Sequence, residues 1–486
     1  MALVGPAPLK DASPLAAVLG DLREERRAAI PFPPGETSFS LARTQRFDRA
    51  PLALLLEAYE RFGPVFTLRL FHGNAVFMIG PAANHYVTVS HASNFLWRES
   101  YYRELTGLMG DGLLTIDGDF HRESRQIMLP AFHRERIAAS VDAILDEADS
   151  ALTDWAPGDE IDLYAWTRRL SLRVAMRSLF GLDPDGDRAR AVDAPALFER
   201  ALSFFARVYA AKMLRGPGSP WRQMRRAARE LDALIYAELS DRRARRKAAG
   251  GAGEDILGLL LDARDEEGNT LSDRQIRDEV MTLMFAGHDT TTSTVSFMFY
   301  ELARNPHVVD RLLAEQGAQL AGRRPTVAQL TSGEALPQLE MVLDETLRKY
   351  PPAWIGPRRA IEAFEFEGTP VPARAFVSYC SWASHHLPEV FPEPERFSPE
   401  RFSAQARAAY PRGAYVPFGG GSRTCIGMRF GQLEVRAIAT LILSRCTLSL
   451  PAGFELAIRQ MPTISPRNGL PMIVGARPAG RRSAAA

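Results

Sequence analysis

The alternation of apolar and polar positions predicts a mainly α-helical fold with a minor β region. Residues 64–80 contain two strand-like apolar runs on either side of His-Gly-Asn, which is typical of a β-hairpin. Helical periodicity dominates over 82–363, and strand-like alternation returns over 364–382. No internal repeat or low-complexity linker divides the chain. We therefore expect a lead-in segment at 1–40, a single domain at 41–477 and a C-terminal tail at 478–486.

The most informative predicted element is a long helix that follows Leu271. Ser272 and Gln275 form an S-x-x-Q capping box, and Pro306 ends the periodic run. At the usual rise per residue such a helix would be about 45 Å long, which is enough to cross a whole domain. Its middle is apolar on nearly every face, so we expect it to be buried at the centre of the fold.

Within this helix, the segment Ala-Gly-His-Asp-Thr-Thr at 286–291 departs from the apolar pattern. Gly, Asp and Thr are poor residues for a helix interior, and Thr hydroxyls compete for backbone carbonyls. A buried carboxylate beside hydroxyl groups is costly unless it serves a function. The alternative interpretation is a bent helix whose threonines are satisfied by its own backbone.

Composition narrows the classes of protein. The 486 residues are 46% hydrophobic and 24% charged with a formal net charge of +1, which is globular and argues against a nucleic-acid binder. The three cysteines form no C-x-x-C motif and no disulfide framework. The first forty residues contain no run long enough for a membrane span and no basic signal-peptide start. We therefore expect a cytoplasmic protein without a membrane span.

The sequence FGGGSRTCIG at 418–427 precedes another apolar-periodic run, so Cys425 is expected at a helix N-terminus. The glycines let the backbone approach a flat ligand, and no Lys-Ser/Thr pair follows them as in a phosphate-binding loop. Three interpretations of Cys425 stay open: an inert thiol, a nucleophile or a metal ligand. No feature places a base near it, and a lone thiolate suits haem iron better than zinc because the porphyrin supplies the other ligands.

Several ordered motifs resemble those of the cytochrome P-450 family. The cysteine loop (418–427) is similar to the family's F-x-x-G-x-R-x-C-x-G haem-ligand loop, and 286–291 resembles its A-G-x-D/E-T-T segment. Glu345-Thr-Leu-Arg348 resembles the E-x-x-R pair, and PEPERFSPERF at 392–402 resembles the stretch that supplies its third partner. His121 and Arg125 are similar to the W/H-x-x-x-R haem contact. The resemblance covers nearly the whole chain.

The resemblance implies a triangular helical prism that encloses haem b (iron protoporphyrin IX). Cys425 thiolate would be the axial ligand of the iron, and its electron donation favours O–O cleavage. By the same resemblance, Arg358 is expected to bind a haem propionate, and the adjacent Arg359 is the alternative. The other expected haem contacts are Ala286, His121, Arg125, Arg358, Phe418, Gly421, Arg423 and Gly427.

Glu345 and Arg348 stand i,i+3 and can pair on one helix face. From the spacing alone, a solvated surface pair is an equal alternative. By resemblance they are a buried structural lock for the cysteine loop, with Arg401 as the third member and Arg396 as the alternative to it.

The function implied by the resemblance is that of a haem-thiolate monooxygenase, which inserts one atom of dioxygen into an organic substrate and releases the other as water. Asp289 and Thr290 are expected to deliver protons and stabilise oxygen, while His288 is expected to be structural or salt-bridged. Two alternatives stay open. One is a haem-thiolate enzyme that uses or rearranges peroxides, and the other is a haem-based gas sensor or binding protein.

The expected substrate is a lipophilic small molecule that is hydroxylated or epoxidised. The candidate pocket residues are mostly aromatic or apolar, and each could instead belong to the core. They are Trp97, Tyr101, Tyr102, Leu108, Phe204, Phe205, Ala353, Trp354, Ile355 and Pro462.

The remaining expected partners follow from the same resemblance. The chain is expected to be a monomer that receives electrons from a ferredoxin or flavodoxin type donor with its own reductase. The donor would dock on the cysteine side through basic residues, and its association would weaken with salt. The candidates are Arg122, Arg125, Arg134, Arg136 and Arg429.

Overall fold

The computed structural model describes residues 14–477, apart from 187–192, 206, 208, 250–254, 265–267, 269 and 462. Its longer helices are Pro14–Arg26, Leu41–Arg49, Pro51–Phe62, Gly118–Met128, Val141–Leu152, Leu163–Val174, Ala194–Leu202, Pro220–Ala249, Asp273–Arg304, Pro306–Leu320, Pro337–Lys349 and Met428–Arg445. Shorter α-helices are Pro81–His85, Thr106–Met109, Arg134–Ala139, Tyr209–Lys212, Ile256–Asp262, Val327–Thr331, Ser381–Ser384 and Ala404–Ala409. The fold is mainly helical, as predicted.

The minor β region consists of short strands. They are β1 (Gly35–Glu36), β2 (Val65–Leu70), β3 (Gly73–Met78), β4 (Phe95–Leu96), β5 (Glu160–Asp162), β6 (Gly356–Ala360), β7 (Phe364–Phe366), β8 (Thr369–Val371), β9 (Phe376–Tyr379), β10 (Cys446–Ser449), β11 (Ile458–Arg459), β12 (Ser465–Pro466) and β13 (Pro471–Ala476). The largest sheet has the order β1-β2-β3-β9-β6-β4, and a second has the order β10-β13-β5. The pairs β11-β12 and β7-β8 complete the described sheets.

The predicted hairpin is confirmed, with a shifted turn. Strands β2 and β3 pair antiparallel from Val65–Met78 to Leu70–Gly73, so the turn residues are Phe71 and His72 rather than His-Gly-Asn. Phe71 adopts a φ of 53°, which closes the loop before Gly73 is reached. The alternation over 364–382 splits into β7, β8, β9 and a short helix. The β4, β5 and β6 strands lie inside the region predicted as helical, because strands of two to five residues leave little periodicity.

The N-terminal segment packs on the domain from Pro14 onward. In the helix Pro14–Arg26, Asp21 lies 2.6 Å from Arg103 and 2.9 Å from His72. Glu25 accepts a hydrogen bond of 3.0 Å from the backbone N–H of Asn74 in β3. Strand β1 then extends the main sheet beside β2. The predicted tail 478–486 lies outside the described residues.

The long helix (Asp273–Arg304) begins and ends where the sequence predicts. Gln275 N–H donates to Ser272 Oγ at 3.3 Å, and the Gln275 side chain accepts from Ser272 N–H at 2.8 Å, which completes the capping box. Most of its residues are buried, and it packs against Leu163–Val174, Pro337–Lys349 and Met428–Arg445. The last of these helices follows the cysteine loop directly. The central helix therefore lies between the elements that carry the predicted site residues.

Candidate active site

The middle of the long helix has one face that is less buried than the rest. Phe285, Ala286, Gly287 and Thr290 keep partial exposure within an otherwise buried run. The Thr290 hydroxyl donates to the carbonyl of Ala286 at 2.7 Å. Thr292, Thr294 and Ser296 also donate to the carbonyl four residues earlier. Thr290 is thus satisfied by its own helix, as the alternative interpretation of the segment predicted for its threonines, and it keeps the capacity to accept a hydrogen bond.

Asp289 faces away from Thr290, into a buried charged cluster. Its Oδ1 lies 3.3 Å from Arg168 Nη2 on the helix Leu163–Val174. His288 Nε2 lies 3.2 Å from Glu199, which also contacts Arg168. Burial raises the pKa of Glu199, but His288 and Arg168 outweigh it and lower that pKa overall. His288 therefore lies against Glu199 within the cluster, which joins three helices.

Thr291 has a different partner from Thr290. Its hydroxyl donates to Glu434 Oε2 at 3.1 Å, in the helix that follows the cysteine loop. Glu434 is buried, and burial raises the pKa of its carboxyl to about 8 although hydroxyl groups of Ser171 and Thr291 lower it. The two adjacent threonines of the segment thus have separate surroundings.

The cysteine loop is held in a tight conformation. Cys425 N–H donates to Phe418 O at 2.9 Å, and Gly419 and Gly421 adopt φ values of 69° and 61°. A Cβ at Gly421 would lie 2.3 Å from Thr88 O, so this glycine is required for contact with the Thr88 backbone. The expectation that these glycines make room for a flat ligand is therefore corrected at this position. Gly427 has no such crowding, since its nearest neighbour would be Phe132 at 3.9 Å.

The Cys425 side chain differs from those of the other two cysteines. Cys380 and Cys446 are buried, whereas Cys425 keeps exposed surface. Although the residue keeps exposed surface, many protein atoms surround its thiol, and this desolvation raises the pKa of the thiol. The Gly427 N–H and the Arg125 charge lower that pKa in part. An accessible sulfur beside a cation is suited to act as an anionic ligand.

Arg125, Arg358 and Arg423 gather near this cysteine. Arg125 donates to Thr424 O at 2.6 Å, and Arg423 contacts Asp117 at 2.7 Å. Burial lowers the pKa of Arg423 to about 10, with Arg358 and Arg125 adding to the decrease and Asp117 opposing it. Arg358 and Arg423 both lie over the Trp97 ring, 3.7 and 5.1 Å from its centre, so their guanidinium groups share one site.

His121 and Arg358 complete this group. His121 is buried, and desolvation followed by the charges of Arg423 and Arg125 lowers its pKa to about 3, so the ring is a neutral hydrogen-bond donor. The Arg358 guanidinium lies 3.7 Å from the centre of the Trp97 ring. Arg359 instead lies 3.7 Å from Asp21, on the opposite side of β6. The geometry therefore favours Arg358 over Arg359 as the member of this group.

Glu345 and Arg348 form a fully buried pair. Arg348 Nε and Nη2 donate to the two carboxylate oxygens of Glu345 at 2.7 and 3.0 Å. Arg348 also donates to the carbonyls of His385 and Pro394. The two carbonyl contacts tie the helix Pro337–Lys349 to the chain before the cysteine loop. Because both side chains of the pair are fully buried, the solvated alternative is excluded.

Arg401 is the third member of this cluster. Its Nε lies 3.5 Å from Glu345 Oε1, and its Nη2 donates to Glu393 O at 2.9 Å. Arg396 pairs at the surface with Glu393. Between the two candidates, the structure therefore brings Arg401 to the Glu345–Arg348 pair.

Comparison with known proteins settles the family. The sequence profile named Cytochrome P450 matches residues 32–467 of this chain. The chain belongs to the cytochrome P450 family. A relative from Mycobacterium tuberculosis named putative cytochrome P450 135B1 is 32% identical over 428 residues, which cover 87% of this chain and 86% of that protein. The cyclooctat-9-en-7-ol 5-monooxygenase of Streptomyces melanosporofaciens is 34% identical over 72% of this chain and 75% of its own.

Solved P450 structures share the fold. The retinoic acid-bound cyanobacterial CYP120A1 superposes with a TM-score of 0.81 and 28% identity, covering 92% of this chain and 100% of the other. The haem domain of cytochrome P450DA superposes with a TM-score of 0.82 and 27% identity, covering 93% of this chain and 99% of the other. This P450 is thus an oxidoreductase of the monooxygenase type with the predicted fold. Among the described residues, no helix is long and apolar enough to cross a membrane.

The residues near Cys425 fit the haem that the family implies. Within the described chain, Arg125, Arg358 and Arg423 face a single carboxylate, Asp117, which leaves an excess of two buried positive charges. The two propionates of haem b would neutralise that excess. Also within the described chain, no group of three His, Cys, Asp or Glu side chains could hold a metal ion. A single thiolate ligand such as Cys425 suits haem iron, because the porphyrin supplies the other ligands.

Four of the predicted pocket residues pack against aromatic or apolar side chains. Leu108, Phe204 and Phe205 are buried in the main core, and Phe205 lies 6.4 Å from Phe285 of the long helix. Tyr101 stacks on Phe376 at 4.8 Å. Phe205 thus lies beside the less buried face of the long helix, whereas Tyr101 stacks on a ring that also lies 4.0 Å from the Arg359 guanidinium.

Two predicted pocket residues have other surroundings than an apolar cavity. Trp97 lies under Arg358 and Arg423, so its ring serves the arginine group rather than an apolar pocket. Trp354 is buried in a second core with Trp382 and donates to Gln460 O at 2.8 Å. Its neighbours Ala353 and Ile355 are less buried, because successive side chains of an extended segment point to opposite sides. Pro462 and the Tyr102 side chain lie outside the described residues.

Sequence reasoning missed Arg168, Glu199, Glu434 and Asp117. Arg168 and Glu199 lie far from the motifs along the chain, and only tertiary packing brings them to Asp289. Glu434 did leave a signal, because it is a carboxylate within the apolar run QLEVRAIATLIL. Asp117 left none beyond its position before the helix Gly118–Met128.

Proposed function

We propose that this P450 oxygenates a lipophilic substrate at a haem held by Cys425, with Thr290 and Asp289 as the catalytic pair. The observation that carries the proposal is the group of three arginines and one neutral histidine around an accessible thiol. Haem bound there would supply dioxygen activation, and its thiolate ligand favours O–O cleavage. The peroxide-using and gas-sensing alternatives find no specific support in the geometry.

Thr290 is the residue proposed to hold a proton at the reacting oxygen. Its Oγ1 is on the less buried face of the long helix and is oriented by the 2.7 Å bond to Ala286 O. Asp289 is proposed to pass protons towards it. For that, the Asp289 carboxylate would have to leave Arg168, with which it forms an ion pair of 3.3 Å and no hydrogen bond.

The substrate is proposed to be a largely apolar small molecule. The side chains at the less buried face of the long helix and beside it are aromatic or aliphatic, as in Phe285, Phe205 and Leu108. One relative is named for cyclooctat-9-en-7-ol, and one solved neighbour binds retinoic acid. Both names denote molecules that are mostly hydrocarbon, which supports the same class here.

The electron donor is proposed to be a separate acidic ferredoxin or flavodoxin. Arg122, Arg134 and Arg429 are exposed, although Arg122 also contacts Asp119 at 2.8 Å. Arg125 is engaged by Thr424 O and by the arginine group, so we leave it out of the docking surface. Reduction rates should fall as salt rises, and rates that stay flat with salt would contradict the proposed surface.

The experiment that tests the proposed function is carbon monoxide difference spectroscopy of the reduced protein. Wild type should give the long-wavelength Soret band of a thiolate-ligated haem, and Cys425→Ser should lose it. Cys380→Ala and Cys446→Ala are matched controls that should keep the band, because both thiols are buried away from the loop. Product formation with a reductase system, compared with peroxide alone, then separates a monooxygenase from a peroxide-using enzyme. A band that survives in Cys425→Ser would contradict the proposal.

A further inference from the structure

A second charged feature lies on the surface, away from Cys425. A groove of about 330 Å³ beside the start of the helix Pro220–Ala249 is lined by Arg215, Trp221, Arg222, Arg225 and Arg229. We name it the arginine groove. No carboxylate is among its lining residues, and within the described part of the chain Arg222, Arg225 and Arg229 form no ion pair with an acidic side chain.

The guanidinium groups of this groove are held in place by backbone carbonyls. Arg225 donates to Gly107 O at 2.9 Å, Arg222 to Arg215 O at 3.3 Å and Arg229 to Arg225 O at 3.3 Å. The Arg215 guanidinium lies 4.2 Å from the centre of the Trp221 ring. Because an arginine carries several N–H donors, these contacts orient the side chains and leave donors for a ligand. The positive groups are therefore already arranged before any ligand binds.

This arrangement is unfavourable for the helix by itself. Arg225 and Arg229 stand i,i+4, and Arg222 stands i,i+3 from Arg225, so like charges are neighbours on one face. Arg222 also lies in the first turn of the helix, where cations are disfavoured and no acidic residue is present. An anion in the groove would relieve both effects.

A second groove of the same chain provides an internal comparison. It measures about 210 Å³, and its lining includes Arg43, Arg46 and Arg61 together with Glu36 and Glu57. Arg43 and Arg61 contact Glu36 at 2.6 and 2.7 Å, and Arg46 pairs with Glu57. The chain thus neutralises three arginines in one groove, whereas among the described residues Arg222, Arg225 and Arg229 of the other groove have no carboxylate partner. A high arginine content alone does not explain that difference.

We propose that the arginine groove binds the phosphate or diphosphate group of a small organic molecule. Several planar guanidinium groups match phosphate oxygens through paired hydrogen bonds. The Trp221 ring adds an apolar face for the organic part. Binding requires none of the residues of the haem site.

The groove shares a wall with the candidate substrate pocket. Trp221 lies 5.6 Å from Phe204, and a Cβ at Gly107 would lie 2.5 Å from the Trp221 ring. Gly107 precedes Leu108, and both Leu108 and Phe204 are candidate pocket residues. A ligand that contacts Arg225 and Trp221 therefore binds directly behind the segment Thr106–Met109.

The test is isothermal titration of the full-length haem protein with inorganic pyrophosphate. We expect one site with a Kd below about 1 mM, weakened at least about tenfold in Arg222→Ala/Arg225→Ala. The matched control is Arg46→Ala/Arg61→Ala, which removes the same charge from the neutralised groove and should change the Kd by less than about twofold. The four substituted arginines lie on the surface. Melting temperatures and carbon monoxide difference spectra that match those of wild type would show that both double variants fold.

Three results would overturn the proposal. The first is no binding of pyrophosphate, and the second is equal weakening in both double variants, which would reflect net charge alone. The third is co-sedimentation with phosphatidylglycerol vesicles without pyrophosphate binding, which would assign the groove to a lipid surface. Selective loss of pyrophosphate binding in Arg222→Ala/Arg225→Ala would support it.

Discussion

Two buried carboxylates, Glu345 and Asp289, face arginines in different ways. Glu345 and Arg348 are both 0% exposed, and two hydrogen bonds of 2.7 and 3.0 Å join them. Ser398 N–H also donates to Glu345 at 2.9 Å. Asp289 is equally buried, yet its contact with Arg168 is a single ion pair of 3.3 Å. Within the described chain, neither Asp289 carboxylate oxygen has a hydrogen-bond partner.

This difference separates a structural cluster from one that can rearrange. A buried pair with every group satisfied is costly to break, because the remaining partner is left as an uncompensated charge. A carboxylate that forms no hydrogen bonds loses none of them when it changes partners. The proposed proton path requires such a change at Asp289, and the Glu345 cluster offers none.

Glu345→Ala should have the largest effect, because it leaves Arg348 buried without a counter-charge. We expect a loss of about 3–5 kcal/mol in the free energy of unfolding, with little protein that retains haem. Soluble yield and haem content per chain measure this. Arg396→Ala is the matched control, since its pair with Glu393 is exposed and should contribute almost nothing. A soluble, fully haem-loaded Glu345→Ala with slow turnover would make Glu345 catalytic instead.

Asp289→Asn should leave the fold intact and slow turnover on the order of 10²-fold, the usual contribution of a proton-transferring group. Arg168 keeps Glu199 and the Tyr164 hydroxyl as partners, so the unfolding free energy should fall by about 1–2 kcal/mol at most. Glu199→Gln is the control from the same cluster, with turnover expected within about twofold of wild type. Equal slowing in both variants would assign the effect to the cluster as a whole.

Thr290→Ala should uncouple electron use from product, with smaller losses of overall rate. The variant keeps the cysteine loop and the apolar pocket, so it should bind substrate and consume dioxygen while releasing more hydrogen peroxide. Thr291→Ala is the control, because its hydroxyl serves Glu434 rather than the less buried face. Product and hydrogen peroxide per reducing equivalent measure the difference. A larger loss of coupling in Thr291→Ala would move the role to Thr291.

The sequence was a good guide where a short stretch contains the whole interaction. The long helix, its capping box and the Glu345–Arg348 pair are local along the chain, and all three are observed as predicted. The partners of Asp289 could not be predicted in this way, because Arg168 and Glu199 reach it through helix packing. Trp97 contacts an arginine and Trp354 the core, and for a related reason the sequence could not indicate these surroundings. Composition marks an aromatic residue as apolar, but only the fold shows whether it faces a substrate, an arginine or the core.

A third buried carboxylate, Glu434, extends the comparison, and its effect is predicted to appear only as the pH changes. Within the described residues no arginine pairs with it, and burial raises its pKa to about 8, so it is neutral in the folded state at pH 7. The unfolded carboxyl ionises near pH 4.5, and the folded protein therefore binds more protons between these values. Stability should fall as pH rises through this window, by up to about 1.4 kcal/mol per pH unit.

Glu434→Gln removes this titration while keeping a group that accepts from Thr291. The melting temperature of the variant should depend less on pH than that of wild type between about pH 5 and 8, with the curves diverging towards the alkaline end. Glu345→Gln is unsuitable as a control because Arg348 needs the charge, so Glu123→Gln, whose side chain is partly exposed on the helix Gly118–Met128, serves instead. Parallel curves for wild type and Glu434→Gln would show that Glu434 is ionised in the fold. In that case Glu434 would be a buried charge with weak local compensation, as Asp289 is, and would not be protonated.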